Sequence, residues 1–375
     1  MKSFKNALIY TEDFRFAPGA FSVEDGRFTG VLAEPAEDAV DLRGAKVIPG
    51  LMDIHSHGNS GADFSDGDYE GLVRMARYYA SVGVTSFAGT TLTLPYETIG
   101  AALDTAVRLR KEKPAGAATL QGAYLEGPFF CAAKRGAQNA DYLRLPDYEA
   151  FAELNAASDG LVSVIAMAPE LEGAEEFIRK ASKDCTVSVG HTEADYDTAV
   201  RAFEAGATQL THLFNALPSL HHRKPGAIVA GVENPAVTAE IIGDGLHVHP
   251  AMVRLAFRLF GAERMVLVSD SLRCCGMPDG NYDLGGLPIT LSGGVARLTD
   301  GTLAGSATNL FECMRRVVSF GIPECDAIRA ATYNPARQMG CLDRVGSIAD
   351  GKCADFIVLG EDLTAKEIYL GGELL

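Results

Sequence analysis

The stretch KVIPGLMDIHSHG, residues 46–58, divides the chain into two regimes. VIPGLMDIHSH reads as a buried strand, and it carries two histidines, His55 and His57, two positions apart. On a strand that spacing sends both imidazoles to one face. Upstream, ALIYTEDFRF and GAFSVEDGRFTGV are short alternating β stretches, and Asp25-Gly26 is a hairpin turn signal. Downstream, short apolar runs begin to alternate with Ala-rich helical ones.

The downstream strands are VTSFAGTT (84–91), LQGAYLEGPF (120–129), VSVIAMAPE (162–170), TVSVGHT (186–192), TQLTHLFNA (208–216), VTAEIIGDGLHV (237–248) and MVLVSDS (265–271). Between them YEGLVRMARYYASVG, TIGAALDTAVRLRKEK, GAEEFIRKAS, YDTAVRAFEAG and PAMVRLAFRLFG place apolar residues at helical spacing and end in Gly or basic residues. Eight strand–helix units over roughly 290 residues predict a (β/α)₈ TIM barrel, assigned to residues 49–340. From 341 the β character returns in VGSIADGKCADFIVLG and KEIYLGGELL. Residues 1–48 and 341–375 are therefore expected to pair into one small β-sandwich domain beside the barrel.

Composition narrows the partners. The net charge of -16 repels a phosphate backbone, so nucleic acid is not an expected partner. The longest apolar runs, such as LVSVIAMA (161–168), are far too short to span a bilayer, so no membrane partner is expected either. The N-terminal MKSFKNALIYTEDFRF lacks the apolar core of a signal peptide, and a cytoplasmic location is expected. The eight cysteines form no CxxC pair and read as reduced thiols. Adjacent Cys274 and Cys275 match no nucleophile motif.

All eight histidines lie between positions 55 and 249, at or near strand ends. The C-terminal strand ends of a barrel form its active face. His55 and His57 on the first strand, Glu126 on the third, His191 on the fifth and His212 on the sixth thus converge on one mouth. Imidazole with carboxylate suits Zn²⁺, and also Fe²⁺, Co²⁺ or Mn²⁺. Asp270 ends the eighth strand. It reads either as a helix cap or as the base that deprotonates a water and returns the proton to a leaving amine. A barrel that only bound metal would not need that carboxylate.

These motifs resemble the amidohydrolase superfamily, and within it the N-acetylglucosamine-6-phosphate deacetylase branch. The resemblance runs through PGLMDIHSHG (49–58), LEGPFF (125–130), GHTEADYD (190–197), THLFNALPSL-HHRKPG (211–226), DGLHV (244–248), LVSDSL (267–272), PDGNYDLGG (278–286), LAGSATNL (303–310) and NPAR (334–337). It implies hydrolysis of the acetamide of N-acetyl-D-glucosamine 6-phosphate, with one or two divalent metals. Glu126, His191 and His212 match the main-metal ligands, and His55 and His57 match the pair that holds a second metal. Asp270 matches the acid/base, and His247 matches a residue that touches substrate and polarises the acetyl carbonyl. Asn215 and Ala216 match a stretch that meets the sugar phosphate, and Ala304, Gly305 and Ser306 a loop lining the sugar. Arg223 matches a phosphate-binding arginine from a neighbouring subunit, which implies a homodimer. Gln138 stands where some members carry a phosphate-contacting histidine. Two other amide hydrolases compete. Cyclic-amide hydrolases bridge two metals with a lysine on strand four, and LVSVIAMAPE has none. An N-acetylgalactosamine 6-phosphate deacetylase would share the whole catalytic core.

Overall fold

The computed structural model describes all 375 residues. Two eight-stranded sheets organise it, and Gly50 is where the chain passes from one to the other. Strand Lys46–Pro49 belongs to the sheet of the termini, while Leu51–Ser56 opens the barrel. A Cβ on Gly50 would lie 2.1 Å from Thr85 Oγ1, so this crossing admits only glycine.

The barrel strands are Leu51–Ser56, Val84–Thr91, Thr119–Glu126, Val162–Met167, Thr186–Val189, Gln209–Leu210, Thr238–Ile242 and Met265–Val268. They lie side by side in chain order, each parallel to the next. The eighth strand closes on the first through isolated bonds. Asp270 N donates to His55 O at 2.9 Å, and the N–H groups of His57 and Gly58 donate to Ser271 O at 2.9 Å. That closure makes Asp270 a neighbour of the His55–His57 pair.

Two strands are shorter than the apolar runs suggest. TQLTHLFNA pairs only at Gln209–Leu210, and VTAEIIGDGLHV only over Thr238–Ile242. Beyond Leu210 the backbone turns left-handed at His212, Phe214 and Ala216 (φ 23°, 77° and 52°), which ends ladder pairing. The five expected helices form at Tyr69–Ser81, Tyr96–Glu112, Ala174–Ala181, Tyr196–Ala205 and Pro250–Phe260. Tyr148–Ala157, Gly226–Glu233 and Leu310–Ser319 complete the ring. The second of these, GAIVAGVE, is too apolar and too rich in glycine to announce itself by periodicity. An antiparallel meander, Gly280–Leu284, Leu287–Ser292 and Val295–Leu298, follows the eighth strand and was not anticipated.

The sheet of the termini runs Glu373–Leu374, Ala365–Leu370, Phe356–Leu359, Lys46–Pro49, Lys2–Tyr10, Phe16–Glu24, Arg27–Thr29, with Val40–Asp41 also paired to Lys2–Tyr10. Phe4, Phe21, Phe28, Phe356 and Tyr369 fill its core, with Phe356 and Tyr369 stacked at 4.3 Å between centroids. No helix is long and apolar enough to cross a membrane.

Candidate metal centre and active site

The first and third strands carry His55 and Glu126 within their ladders. His57 follows directly on the first strand, and three more side chains follow one rule: His191, His212 and Asp270 each stand two residues past a strand end. All three have left-handed backbone, at φ 47°, 23° and 48°. Such conformations cost non-glycine residues about 1–3 kcal/mol each and gather at functional sites. Here they bend the chain off the strand so that each side chain turns into the barrel mouth. A Cβ on Gly305 would lie 2.6 Å from Asp270 O and 3.2 Å from its Oδ1, so glycine is required beside this carboxylate.

Glu126 sits at the middle of the group. Its Oε1 lies 3.1 Å from His191 Nε2, 3.0 Å from His212 Nε2 and 3.3 Å from His55 Nε2. Its Oε2 lies 3.2 Å from His57 Nε2, which is 3.3 Å from Asp270 Oδ1. Two overlapping donor sets result: Glu126 with His191 and His212, and Glu126 with His55 and His57, each with donor atoms within 4.8 Å of one another. Every member is buried.

The tautomers fit a cation. His191 Nδ1 is 2.9 Å from the Lys134 carbonyl, which can only accept, so Nδ1 carries a proton and Nε2 is the nitrogen left to bind a cation. His212 Nε2 lies 3.0 Å from it, and His55 Nε2 is buried with no hydrogen-bond partner. Nitrogens and carboxylate oxygens so crowded are stable around positive charge, whether protons or a metal. Burial alone would raise the Glu126 pKa, but His55, His191 and His212 outweigh it and hold the carboxylate well below its usual range. Burial would likewise lower His57, yet its hydrogen bonds to the Asp270 and Glu126 carboxylates raise it to about 10. Asp270 is held below its ordinary value against burial, chiefly by His57 and His55. The carboxylates demand positive charge here, and the nitrogen–oxygen donor set is that of a divalent-metal site.

Above the donors opens a cavity of about 340 Å³, with His57, Glu126, His191, His212 and Asp270 on its floor. Asn215, Ala216, His247, Ala304 and Gly305 also line it. His247 Nε2 donates to Ala304 O at 2.7 Å and its Nδ1 to Asp244 Oδ2 at 2.7 Å. Burial opposes a charge on His247, but Asp244 outweighs it and raises the pKa, which favours an imidazolium with two N–H donors.

Three expected substrate contacts lie elsewhere or face another way. Ser306 is behind the wall: its hydroxyl donates to Ser269 O and its N–H to Asp270 O at 2.7 Å, so it braces the Asp270 turn and does not line the cavity. Gln138 does line the cavity, but its amide donates to Glu126 Oε2 and accepts from Thr93 N at 2.8 Å. It grips the central carboxylate. Arg223 is exposed, paired to His222 at 2.6 Å, and absent from the cavity wall of its own chain, as are His221, His222 and Lys224.

Sequence reading passed over three side chains. Lys134 lines the cavity directly after the LEGPFF motif. Asp244, in DGLHV, orients His247. Glu240 lies fully buried behind His55, with its Oε2 2.9 Å from Nδ1. Asp244 and Lys134 had a signal in their adjacency to motifs; Glu240, inside an apolar run, had none. Cys274 and Cys275 are buried thiols whose pKa values burial pushes up to about 11 and about 12, so neither is a ready nucleophile.

The amidohydrolase family profile matches residues 46–374. An N-acetylglucosamine-6-phosphate deacetylase from Vibrio furnissii is 36% identical over 340 residues, covering 90% of this chain and 85% of that protein. This chain belongs to the amidohydrolase family. Another relative, an N-acetylgalactosamine-6-phosphate deacetylase from Escherichia coli O157:H7, is 37% identical and covers 92% of each chain. The structure of a variant N-acetyl-D-glucosamine-6-phosphate deacetylase from Mycobacterium smegmatis, in complex with N-acetyl-D-glucosamine-6-phosphate, superposes with a TM-score of 0.91. It is 33% identical and covers 99% of this chain and 98% of that one. Among amidohydrolases that bridge metals with a strand-four lysine this chain has no place. Its fourth strand, Val162–Met167, reads VSVIAM, and Glu126 on the third occupies the centre instead.

Proposed function

We propose that this amidohydrolase cleaves the acetamide of N-acetyl-D-glucosamine 6-phosphate, releasing D-glucosamine 6-phosphate and acetate in amino-sugar catabolism. The observation that carries the reading is Asp270 Oδ1 lying 3.3 Å from His57 Nε2, at the edge of two donor sets that share Glu126. Glu126, His191 and His212 would hold one divalent metal and His55 and His57, with Glu126, a second; zinc suits the donors best, with iron, cobalt or manganese able to replace it. A metal bound there supplies Lewis acidity toward the acetyl carbonyl and makes water a better nucleophile.

The chain's own groups do the proton work. Asp270 takes a proton from the attacking water at its carboxylate and then gives it to the amide nitrogen, so that the sugar leaves as a neutral amine. The C–N bond breaks as the new C–O bond is kept, leaving acetic acid, whose proton passes to the amine as the products ionise to acetate and ammonium. His247 donates from Nε2 to the substrate once sugar displaces its contact with Ala304. Asn215 and the backbone of Ala216 meet the phosphate, with Ala304 and Gly305 against the sugar. Lys134 adds a cation on the same wall. Arg223, exposed and not among the residues lining its own cavity, would reach the phosphate of a partner subunit in a homodimer, where its planar fork suits a bidentate contact.

Acetate release from the glucosamine and galactosamine 6-phosphate substrates, run in parallel with metal analysis, tests this reading. Faster turnover of the galactosamine epimer would replace it with the second reading, since the Escherichia coli galactosamine enzyme is as similar to this chain, at 37% identity, as the Vibrio furnissii glucosamine enzyme at 36%. Release from neither, with metal bound, would refute both.

A further inference from the structure

We propose that Glu240 is a positioning residue for the His55 side of the centre. It selects the tautomer that leaves His55 Nε2 free as a ligand, and it ties that ligand to the turn carrying His212. The proposal rests on the metal reading above.

Glu240 lies in the seventh barrel strand, fully buried. Neither a lysine nor an arginine pairs with it. Its Oε1 accepts the Gln209 side-chain amide, and its Oε2 accepts from His55 Nδ1 at 2.9 Å and from His212 N at 3.1 Å. A buried carboxylate without a cation is costly unless its charge is used. Here that charge lies directly behind an imidazole whose other nitrogen is buried and has no hydrogen-bond partner.

The geometry makes the tautomer unambiguous. A carboxylate accepts, so His55 carries a proton on Nδ1, and Nε2, 3.3 Å from Glu126 Oε1, is the nitrogen that a bound metal would take in place of a proton. The Tyr124 ring packs against His55 at 4.5 Å between centroids, which limits rotation about the ring's only free torsion. Glu240 also grips the other donor set. Besides the His212 N–H, its own carbonyl accepts from Leu213 N at 2.8 Å. These two bonds span the start of the left-handed turn at His212, φ 23°, and hold it in that conformation. One residue thus sets a ligand in each set.

The test is Glu240→Gln, read by metal content and by nitrogen spectroscopy of the His55 ring. Purified protein is stripped with chelator and titrated with zinc. The expected result is about 10- to 100-fold weaker uptake of the zinc that depends on His55, the scale seen when a hydrogen-bond partner of a metal ligand is lost. In the zinc-loaded wild type the His55 ring should report a proton on Nδ1 and none on Nε2, and in Glu240→Gln at the same zinc concentration a mixture of tautomers. Equal zinc stoichiometry and affinity in the two proteins, or an unchanged His55 tautomer in a variant that is merely less stable, overturns the proposal. Should the variant not fold, the zinc-loaded wild-type spectrum decides alone: a proton on Nε2 refutes the assignment, and one on Nδ1 with Nε2 bare supports it. Failure of the wild type to bind zinc would instead refute the metal reading itself.

Discussion

The donors at the barrel mouth and the core of the terminal sheet are both buried, and they are made of opposite materials. In the terminal sheet, Phe4, Phe21, Phe28, Phe356 and Tyr369 pack ring on ring. At the mouth, the five donors and Asp270 crowd charged and polar groups together, and His191, His212 and Asp270 sit on left-handed backbone. The first arrangement is what burial of apolar area favours by itself. The second opposes folding locally and survives because the barrel around it supplies the stability. One region therefore carries stability and the other chemistry, and substitutions should separate the two.

The largest effect is expected at the mouth. Asp270→Asn should keep fold and metal content but lower kcat by on the order of 10² or more, the scale of lost general acid–base help. Steady-state acetate release with elemental analysis checks it, and near-normal turnover would break the division of labour. Phe356→Ala is its counterpart in the terminal sheet. It should destabilise by about 3–5 kcal/mol in denaturant unfolding while the folded fraction keeps its kcat. A selective loss of kcat there would mean that the sheet shapes the site.

A third test sharpens where the chemistry ends. Arg223→Ala should raise KM for the phosphorylated sugar on the order of tenfold or more, the value of about 1.5–3 kcal/mol for a charged hydrogen bond, and leave the unphosphorylated sugar unaffected. Mixing Arg223→Ala with Asp270→Asn subunits should restore part of the activity if the arginine acts across a dimer; no recovery after subunit exchange would confine it to its own chain.

The smallest effect belongs to the sheet side. Asp355 is half-buried with one backbone donor, Gly371 N at 2.8 Å, and burial raises its pKa to about 6. The unfolded carboxyl ionises near 3.8. Between these values the unfolded state loses the proton first, so stability falls as pH rises from about 4 to 6 and stays lower above it. Asp355→Asn should therefore raise Tm at pH 7, with the gain vanishing near pH 4. A gain of equal size at both pH values would locate the effect outside this titration.

Much of the barrel could be read before any coordinates, since eight short apolar runs separated by amphipathic segments have few other compact solutions. The donors could be read too. His55, His57, Glu126, His191, His212 and Asp270 stand out because metal-assisted hydrolysis draws on a few residue types, and each marks a strand end. The meander of 280–298 was not legible, because short two-faced strands after Gly-rich turns look like loop. Nor were the orientations of Gln138 and Ser306. Motif position placed both on substrate, while packing turned Gln138 to Glu126 and Ser306 to Ser269.

The sequence by itself determined the strand rhythm, the inventory of donors and the family. Only the tertiary structure decided which atoms face one another. Closure of the eighth strand on the first set Asp270 beside His57, left-handed turns past the strand ends aimed His191 and His212 at Glu126, and a carboxylate from a silent apolar run, Glu240, came to stand behind His55. Periodicity is local and survives in one dimension. The pairing of a ring nitrogen with one oxygen depends on angles set by strands far apart in the chain, and those exist only once the barrel has closed.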